Sequence, residues 1–275
     1  MKKEKLIMKK IAVVTGASSG IGKEVAKSLQ QNGYQVIGGA RRVEAMADLK
    51  DLGIEIAHLD VTEAGSRETF IQDILNEYGR IDLLVNSAGY GSFGALEEVT
   101  LDEARRQMDV NVFGIIGLIQ LILPTMRAQK SGRIINISSL AGQSYTPLGG
   151  WYHASKHTLE TLSDVLRVEL KPFGVDVVVV EPGNTATNWQ GTAVGRLLEA
   201  TPKDSPYRAL TEGVANTLQN SNATVADVAK VVLKASEVRN PKIRYQIKFQ
   251  EKVSVQLMKF IPGKLVDRLV TRLVR

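Results

Sequence analysis

Short apolar runs alternate with amphipathic helical segments along most of this chain, and this alternation limits the possible folds more than any other feature. Four consecutive valines at 177–180 are typical of a parallel strand that is buried on both faces of a sheet. Right-handed crossovers between such strands predict a single-domain, doubly wound α/β fold with a mostly parallel sheet and helices on both faces. The strands are predicted at 11–15, 35–39, 54–58, 81–85, 133–137 and 176–180.

The length and the pattern indicate one domain with a short extension at each end. The 275 residues, 44% of them hydrophobic, are enough for one large core. We assign 1–8 to an N-terminal extension, 9–249 to the domain and 250–275 to a helical tail. A helix is predicted over 101–129, bent near its end by Pro124. The weakly patterned segment 184–222 is predicted to be a substrate lid, because long irregular segments are usually functional or disordered.

The end of the tail predicts a basic amphipathic helix. A helix of this kind can lie on a membrane. An apolar face more often packs on its own domain or on a second subunit, so we predict no membrane association. The apolar face holds Leu265, Val266, Leu269, Val270, Leu273 and Val274, opposite Lys264, Arg268, Arg272 and Arg275.

Composition excludes several classes of function. The chain has no cysteine, which removes disulfides, thiolate metal sites and cysteine nucleophiles. His153 and His157 are four residues apart and could chelate a metal, but a third ligand is missing nearby, and we predict no metal site. The net charge of +6 is scattered rather than striped, which argues against nucleic-acid binding. The apolar segments are too short for a signal peptide or a membrane span, so we expect a cytoplasmic protein.

A glycine-rich turn follows the first predicted strand and precedes a helix. The segment reads Thr-Gly-Ala-Ser-Ser-Gly-Ile-Gly over 15–22, with glycines at 16, 20 and 22. A helix N-terminus offers free backbone N–H groups and a partial positive charge to a phosphate. Glycines let the backbone approach that anion and let the helix pack closely on the sheet. The turn therefore predicts a site for the pyrophosphate of a dinucleotide.

A tyrosine and a lysine share one face of a later helix. Tyr152 and Lys156 are four residues apart within Tyr-His-Ala-Ser-Lys. A free phenol titrates near a pKa of about 10 and is a poor acid/base at neutral pH. A neighbouring ammonium, together with an oxidised nicotinamide, favours the phenolate and lowers that pKa. Such a pair is common by chance, so its meaning depends on the surrounding pattern.

The surrounding pattern resembles the short-chain dehydrogenase/reductase family. The spacing Gly16-x-x-x-Gly20-x-Gly22, the Tyr152/Lys156 pair, Ser139 thirteen residues before the tyrosine, and Asn111 all match it. The resemblance is close over 9–187 and looser beyond, and it implies a Rossmann-type fold.

The resemblance also assigns catalytic roles. It implies that Tyr152 exchanges a proton with a carbonyl or alcohol oxygen, that Ser139 orients this oxygen, and that Lys156 binds the nicotinamide ribose and lowers the tyrosine pKa. Asn111 would hold a water that relays protons. Ser138 is a rival to Ser139, which the spacing to Tyr152 favours.

The same resemblance implies a set of cofactor contacts. Asp60 and Val61 would contact the adenine, the segment around Asn86 would pass beside the cofactor, and Thr185 and Thr187 would hold the nicotinamide carboxamide. The full implied set is Thr15, Gly16, Ser18, Ser19, Gly20, Ile21, Gly22, Arg41, Arg42, Asp60, Val61, Asn86, Ala88, Gly89, Tyr152, Lys156, Pro182, Gly183, Thr185 and Thr187.

The end of the second strand indicates which cofactor is used. NAD-binding folds place an acidic residue there for the ribose hydroxyls, whereas this chain has Ala40 followed by Arg41 and Arg42. A carboxylate would repel a 2′-phosphate, and guanidinium groups bind it with charge-assisted hydrogen bonds. The sequence therefore predicts NADP(H), although Ser19 is neutral where NADP-preferring relatives often carry a basic residue.

The substrate is not specified by these motifs. Tyr90, Phe93, Tyr145, Trp151 and Trp189 could line an apolar pocket for a lipophilic carbonyl or alcohol, and each could equally be core or lid packing. The resemblance implies a homodimer or homotetramer built on the helices near 101–129 and 150–171. The alternative to an oxidoreductase is an NADP(H)-binding regulatory or scaffold protein of the same fold, which would not need the complete catalytic set.

Overall fold

The computed structural model, which describes residues 9–258 and 260–273, contains a seven-stranded sheet. In chain order its strands are β1 (Ile11–Thr15), β2 (Gln35–Ala40), β3 (Glu55–His58), β4 (Leu83–Asn86), β5 (Gly132–Ile137), β6 (Val175–Glu181) and β9 (Arg244–Gln246), and the short strands β7 (Thr185–Ala186) and β8 (Ala223–Thr224) form a separate pair. The order across the sheet is β3-β2-β1-β4-β5-β6-β9, and every neighbouring pair is parallel. This confirms the predicted doubly wound fold, and it brings the carboxyl ends of the strands to one edge of the sheet.

Helices cover both faces of this sheet. They are α1 (Gly20–Gln31), α2 (Ala47–Lys50), α3 (Ala64–Tyr78), α4 (Leu101–Met108), α5 (Gly114–Gln129), α6 (Gly150–Leu170), α7 (Asn188–Ala200), α8 (Arg208–Gln219), α9 (Val225–Glu237), α10 (Phe249–Met258) and α11 (Gly263–Leu273). One core lies where α1 and α9 pack on the sheet, through side chains such as Leu29 and Val232. The other lies beneath α3, α5 and α6, through side chains such as Ile74, Ile119 and Leu159.

The long apolar helix predicted over 101–129 is interrupted in its first half. A π-helical turn at Asp109–Phe113 separates α4 from α5, and Pro124 lies inside α5. The segment Leu101–Gln129 is long and apolar enough to cross a membrane by length and composition alone. It is a core helix here, because Ile115, Ile119 and Ile122 are buried against the sheet.

The segment 184–222 is not the irregular loop that the sequence predicted. It folds into α7 and α8, flanked by β7 (Thr185–Ala186) and β8 (Ala223–Thr224), which pair in parallel. The Thr187 hydroxyl caps α7 by accepting a hydrogen bond from the Trp189 N–H at 3.1 Å. The apolar faces of the two helices form a third core with Phe93 and Tyr152. The predicted lid is therefore a packed helical pair.

The tail and two earlier elements complete the domain. Helix α9 and strand β9 were not predicted from the sequence.

In α11 the side chains of Val266 and Val270 are buried, and the Tyr145 hydroxyl donates to Asp267 Oδ1 at 2.8 Å. The helix thus packs on its own domain. The extension at 1–8, Val274 and Arg275 lie outside the described residues.

Candidate active site

A cavity of about 910 Å³ opens at the carboxyl edge of the sheet. Ligands of doubly wound folds bind at this edge, outside the ends of the strands. Most of the predicted site residues line the cavity, and the turn, the arginines and the catalytic helix all reach it. The predicted residues in its wall are Gly16, Ser18, Ser19, Gly20, Ile21, Gly22, Arg41, Arg42, Asp60, Val61, Ala88, Gly89, Ser139, Tyr152, Lys156, Pro182, Gly183, Thr185 and Thr187.

The glycine turn has a backbone shape that larger residues could not adopt. Gly16 and Gly20 have φ values of +69° and +55°, in the left-handed region that glycine tolerates. A Cβ on Gly22 would lie 2.5 Å from the Gly16 carbonyl oxygen, and a Cβ on Gly16 would lie 2.9 Å from the Ala88 nitrogen. The turn is therefore closed tightly on both sides and leaves the N-terminus of α1 facing the cavity, as a pyrophosphate site requires.

Thr15 and Asn86 lie behind the cavity wall rather than in it. The buried Thr15 hydroxyl accepts hydrogen bonds from the N–H groups of Ser87 and Ala88, both at 3.0 Å. The Asn86 amide donates to Asn136 Oδ1 at 2.9 Å. Thr15 thus holds the wall segment 87–89 in place from beneath, whereas the Asn86 side chain connects the ends of β4 and β5.

Arg41 and Arg42 are exposed at the rim of the cavity, at the end of β2. Asp60 Oδ1 accepts hydrogen bonds from the N–H and the hydroxyl of Thr62 at 2.9 and 2.7 Å. Burial raises the pKa of Asp60, but these hydrogen bonds and the charge of Arg41 outweigh it and hold the pKa below its usual range. This end of the cavity combines guanidinium groups with an ionised, already hydrogen-bonded carboxylate.

Tyr152 lies at the opposite end of the cavity and is 8% exposed. Burial raises its pKa to about 12, partly offset by a hydrogen bond to Ser139. The Ser139 hydroxyl also accepts from the Ala141 N–H at 3.1 Å and donates to the Pro182 carbonyl at 3.3 Å. The pKa lowering that the sequence analysis expects therefore needs more positive charge near the phenol than these neighbours provide.

Lys156 follows Tyr152 by one turn of α6 and is also buried. Its ammonium donates to the Ile137 carbonyl at 2.9 Å, at the end of β5. Burial lowers the pKa of Lys156 to about 8, and the charge of Glu160 raises it. A Cβ added to Gly89 would lie 3.8 Å from the ammonium, an ordinary van der Waals contact, and 3.2 Å from Asn111 Oδ1, so Gly89 lies between these two side chains.

Asn111 lies outside the cavity wall, at the π-helical turn between α4 and α5. Its amide nitrogen donates to the Tyr90 carbonyl at 2.9 Å and to Ser155 Oγ at 3.1 Å, and its Oδ1 accepts from the Tyr90 N–H at 3.1 Å. The side chain thus holds the backbone beside Gly89 to α6. The irregular turn is what points this amide inward.

Aromatic rings surround the phenol of Tyr152. The ring centroids of Phe93 and Trp189 each lie 5.4 Å from that of Tyr152, and both rings line the cavity together with Tyr90. The other two aromatic candidates are elsewhere: Tyr145 bonds to α11, and Trp151 is not in the wall. The apolar end of the cavity also contains residues that the sequence analysis missed, namely Leu140, Ala141, Val214 and Leu218.

The sequence analysis also missed several polar residues of the cavity wall, most of which belong to the segment 184–222. They include Gln190, Thr192, Arg196, Thr217, Asn220, Ser221 and Asn222, with Arg106, Ser144 and Thr146 from elsewhere. The spacing of Leu210, Val214 and Leu218 was a helical signal that could have identified α8. No local pattern indicates that the helix reaches the cavity.

His153 and His157 are both engaged in hydrogen bonds within α6 and the loop before it. His153 Nδ1 lies 2.9 and 2.7 Å from the carbonyls of Ala141 and Ser144, and its Nε2 lies 2.9 Å from Thr146 Oγ1. His157 Nδ1 bonds to the His153 carbonyl at 2.9 Å. Among the residues that the structure describes, no cluster of three or more metal-ligating side chains occurs.

Sequence comparisons connect this geometry with known proteins. The family model described as short chain dehydrogenase matches residues 10–195. A probable short-chain type dehydrogenase/reductase of Helicobacter pylori is 34% identical over 266 residues, covering 94% of this chain and 96% of its own. An NADPH-dependent 3-dehydrocapnine reductase of Ornithobacterium rhinotracheale is 32% identical over 269 residues, with 94% and 95% covered. A 3-ketodihydrosphingosine reductase of Bacteroides thetaiotaomicron is 39% identical over 180 residues, 65% of each chain.

Solved structures agree in fold. A short-chain dehydrogenase from Streptomyces avermitilis superposes with a TM-score of 0.81 at 34% identity, covering 92% of both chains. A short-chain dehydrogenase/reductase from Burkholderia phymatum in complex with NAD gives 0.80 at 25% identity, with 92% and 93% covered. A serine dehydrogenase complexed with NADP⁺ gives 0.75 at 29% identity, with 86% and 93% covered. Both nicotinamide cofactors therefore occur among the similar structures.

Proposed function

Because this chain belongs to the short-chain dehydrogenase family, we propose that it is an NADP(H)-dependent oxidoreductase that interconverts a carbonyl and an alcohol. The observation that carries the proposal is a shared cavity. The glycine turn and Arg41 line one end of it, and Ser139, Tyr152 and Lys156 line the other. A nicotinamide dinucleotide is long enough to connect a phosphate site with a distant acid/base, and a bound nicotinamide supplies or accepts the hydride.

The residues at the reacting end have complementary tasks. Tyr152 donates its phenolic proton to the carbonyl oxygen in the reductive direction and removes it in the oxidative direction. Ser139 lies close enough to the phenol to lower its pKa, so its hydroxyl is placed to orient an oxygen bound between the two. Lys156 holds the ribose next to the nicotinamide, and its charge stabilises the phenolate. The raised pKa of Tyr152 favours the protonated phenol, which suits the reductive direction.

Preference for NADP(H) is supported by charge at the rim. Arg41 and Arg42 are exposed there and can bind a 2′-phosphate with charge-assisted hydrogen bonds. Ala40 provides no carboxylate at the position where NAD-binding folds hold one. Asp60 remains ionised, but its Oδ1 oxygen is already hydrogen-bonded to Thr62.

The substrate that fits this cavity is a bulky, apolar carbonyl compound. Phe93 and Trp189 flank the phenol, and Val214 and Leu218 extend the apolar wall along α8. Two of the relatives are named 3-ketodihydrosphingosine reductase and NADPH-dependent 3-dehydrocapnine reductase. We propose a ketone on a long aliphatic chain as the substrate class.

Two further expectations belong to this proposal. Phe113, Val165 and Val168 are exposed on the π-helical turn and the outer face of α6, with 62%, 47% and 64% exposure, which supports a homodimer or homotetramer built on these helices. Light scattering after size exclusion measures the subunit number directly. We also propose that the enzyme works as a soluble protein of the cytoplasm, which the burial of α5 in the core supports.

The proposal is tested by cofactor consumption. The purified protein is mixed with NADPH or NADH and a panel of short and long-chain ketones, and absorbance at 340 nm is followed. We expect turnover with NADPH that increases with the length of the aliphatic chain. Tight NADPH binding without turnover of any carbonyl or alcohol would instead indicate the regulatory or scaffold role, which the complete catalytic set does not favour.

A further inference from the structure

A buried carboxyl group follows the catalytic pair on α6, and the proposed reaction gives it no task. Tyr152, Lys156 and Glu160 are spaced by four residues and share one face of the helix. Glu160 is only 4% exposed. Burying a carboxylate is costly unless charges or hydrogen bonds compensate it, so its surroundings show what it does there.

One guanidinium group pairs with Glu160 and with two neighbouring carboxylates. Arg244 of β9 places Nε 2.9 Å from Glu160 Oε2 and 3.3 Å from Glu181 Oε1, and its Nη2 lies 2.6 Å from Asp164 Oδ2. Gln143 donates to both buried glutamates, at 3.5 Å to Glu160 and 3.1 Å to Glu181. Glu181 is completely buried at the end of β6.

The second carboxyl oxygen of Glu160 receives no hydrogen bond. Among the described residues, Glu160 Oε1 and the neighbouring Ser138 Oγ are both buried without a hydrogen-bond partner. A Cβ on Gly142 would lie 3.2 Å from Glu160 Oε1 and 3.0 Å from Ser138 Oγ, so the two oxygens lie on the same side of this glycine. The carboxyl group is thus oriented by Arg244 and Gln143 through Oε2, and the charge at Oε1 has no donor of its own.

Two buried glutamates share one guanidinium group in this cluster. Asp164 has a second partner, because Arg167 Nη2 lies 3.2 Å from its Oδ1, whereas Glu160 and Glu181 are paired with Arg244 alone among the described cations. Burial and the charge of Glu181 raise the pKa of Glu160, whereas the nearby Ser138 hydroxyl and the charge of Arg244 lower it. Glu160 therefore carries a partly compensated negative charge one helical turn from Lys156, whose own pKa burial lowers to about 8.

We propose that Glu160 is a positioning residue whose negative charge keeps the buried Lys156 protonated during the proposed reduction. Lys156 lies on the same helical face one turn away, and its ammonium bonds only to a neutral carbonyl, that of Ile137, among the hydrogen bonds of the described chain. Without a nearby negative charge, burial favours the neutral amine, which can neither stabilise the phenolate of Tyr152 nor hold a ribose as strongly. The inference rests on the proposed function.

The charged and titratable groups that face Glu160 define the test. On α6 they are Lys156 and Asp164, the latter paired with Arg167; on β6 the group is Glu181 and on β9 it is Arg244. The neutral Gln143 hydrogen-bonds to Glu160 from the segment after β5, where Ser138 also lies. Glu160→Gln removes one charge and keeps the shape of the side chain. Glu160→Asp keeps the charge, and Glu169→Gln changes an exposed glutamate on the same helix as the control.

The first measurement is the pH dependence of kcat/KM for ketone reduction. In Glu160→Gln the alkaline limb moves to lower pH by about two units, the order expected for a unit charge one helical turn (about 5.4 Å) away at an effective dielectric constant near 20. Glu160→Asp and Glu169→Gln keep the wild-type limb. Equal loss of rate at every pH, with an unmoved limb, would show a structural role and overturn the inference. No turnover by the wild-type chain would instead overturn the proposed function.

A second measurement does not depend on turnover. The ¹³Cε resonance of Lys156 is titrated in the cofactor-free protein labelled at lysine, with Lys156→Arg used for assignment. Burial lowers the pKa of Lys156 to about 8, so the wild-type resonance is expected to titrate in that region and to shift a second time, at lower pH, when Glu160 ionises, as coupled groups do. This two-step titration can be observed even if Glu160→Gln does not fold. A single step that ignores Glu160 would refute the proposal.

Discussion

Replacing Arg41 by alanine tests the cofactor preference most selectively. Arg41 lies exposed at the rim of the cavity, at the end of β2, where the adenosine end of a dinucleotide is expected. A hydrogen bond to a charged group contributes about 1.5–3 kcal/mol, and solvent exposure at this rim places the value near the lower limit. A loss of about 1.5 kcal/mol weakens NADPH binding roughly tenfold. NADH lacks the 2′-phosphate, so its affinity should stay within a factor of about two.

The measurement is the Kd of each cofactor, obtained from quenching of tryptophan fluorescence at fixed ionic strength. Arg105→Ala, which removes an exposed arginine of α4 that does not line the cavity, is the matched control and should leave both values unchanged. The reasoning is refuted if Arg41→Ala weakens NADPH and NADH equally. That result would mean that Arg41 acts on the shape of the rim rather than on the phosphate.

Three further predictions concern the turn, a buried histidine and the aromatic wall. Gly22→Ala should abolish NADPH binding and lower the melting temperature by several degrees, because its Cβ would lie 2.5 Å from the Gly16 carbonyl oxygen. Thermal scans with and without NADPH measure both effects. A variant whose melting temperature rises with NADPH as much as that of the wild type would contradict the prediction. Burial lowers the pKa of His153, so the unfolded chain binds more protons below pH 6.5, and the free energy of unfolding should fall from that pH downward. Urea titrations should show a weaker pH dependence in His153→Asn, and an equal dependence would contradict this. Trp189→Ala should raise KM about tenfold for long-chain ketones and less for short ones, because the ring contributes roughly 1.5–3 kcal/mol of apolar contact. An equal rise in KM for long and short ketones would indicate that Trp189 only packs against Phe93.

The strands that were predicted correctly carry a strong local signal. Runs such as the valines of β6 are apolar throughout, and that pattern depends only on burial in a parallel sheet. Strand β9 was missed because Arg244, Tyr245 and Gln246 form an edge strand of polar and aromatic side chains that are only partly buried. Its arginine is explained by Glu160 and Glu181, which are distant in sequence. No local pattern could have revealed that ion cluster.

Helix α9 was missed although its signal was present. Thr224 and Asp227 form a capping box, and Val228 and Val232 follow at helical spacing. For the cavity wall, the sequence analysis named the residues of the short motifs and Trp189, but not the other residues of α7 and α8, because only the packing of that pair on Tyr152 brings them to the cavity. The pKa of Tyr152 could not be predicted from the sequence either. Burial opposes the expected lowering of this pKa, and the burial of the phenol depends on the fold.

The kinetics of Tyr152→Phe test the central claim most directly. The change removes one oxygen atom and keeps the ring between Phe93 and Trp189, so folding and NADPH affinity should remain close to wild type. Single-turnover reduction of a ketone that the wild-type enzyme accepts should slow by about 10²-fold or more, the usual contribution of a positioned proton donor. A variant that binds NADPH normally and reduces the ketone within a few-fold of the wild-type rate would show that another group supplies the proton.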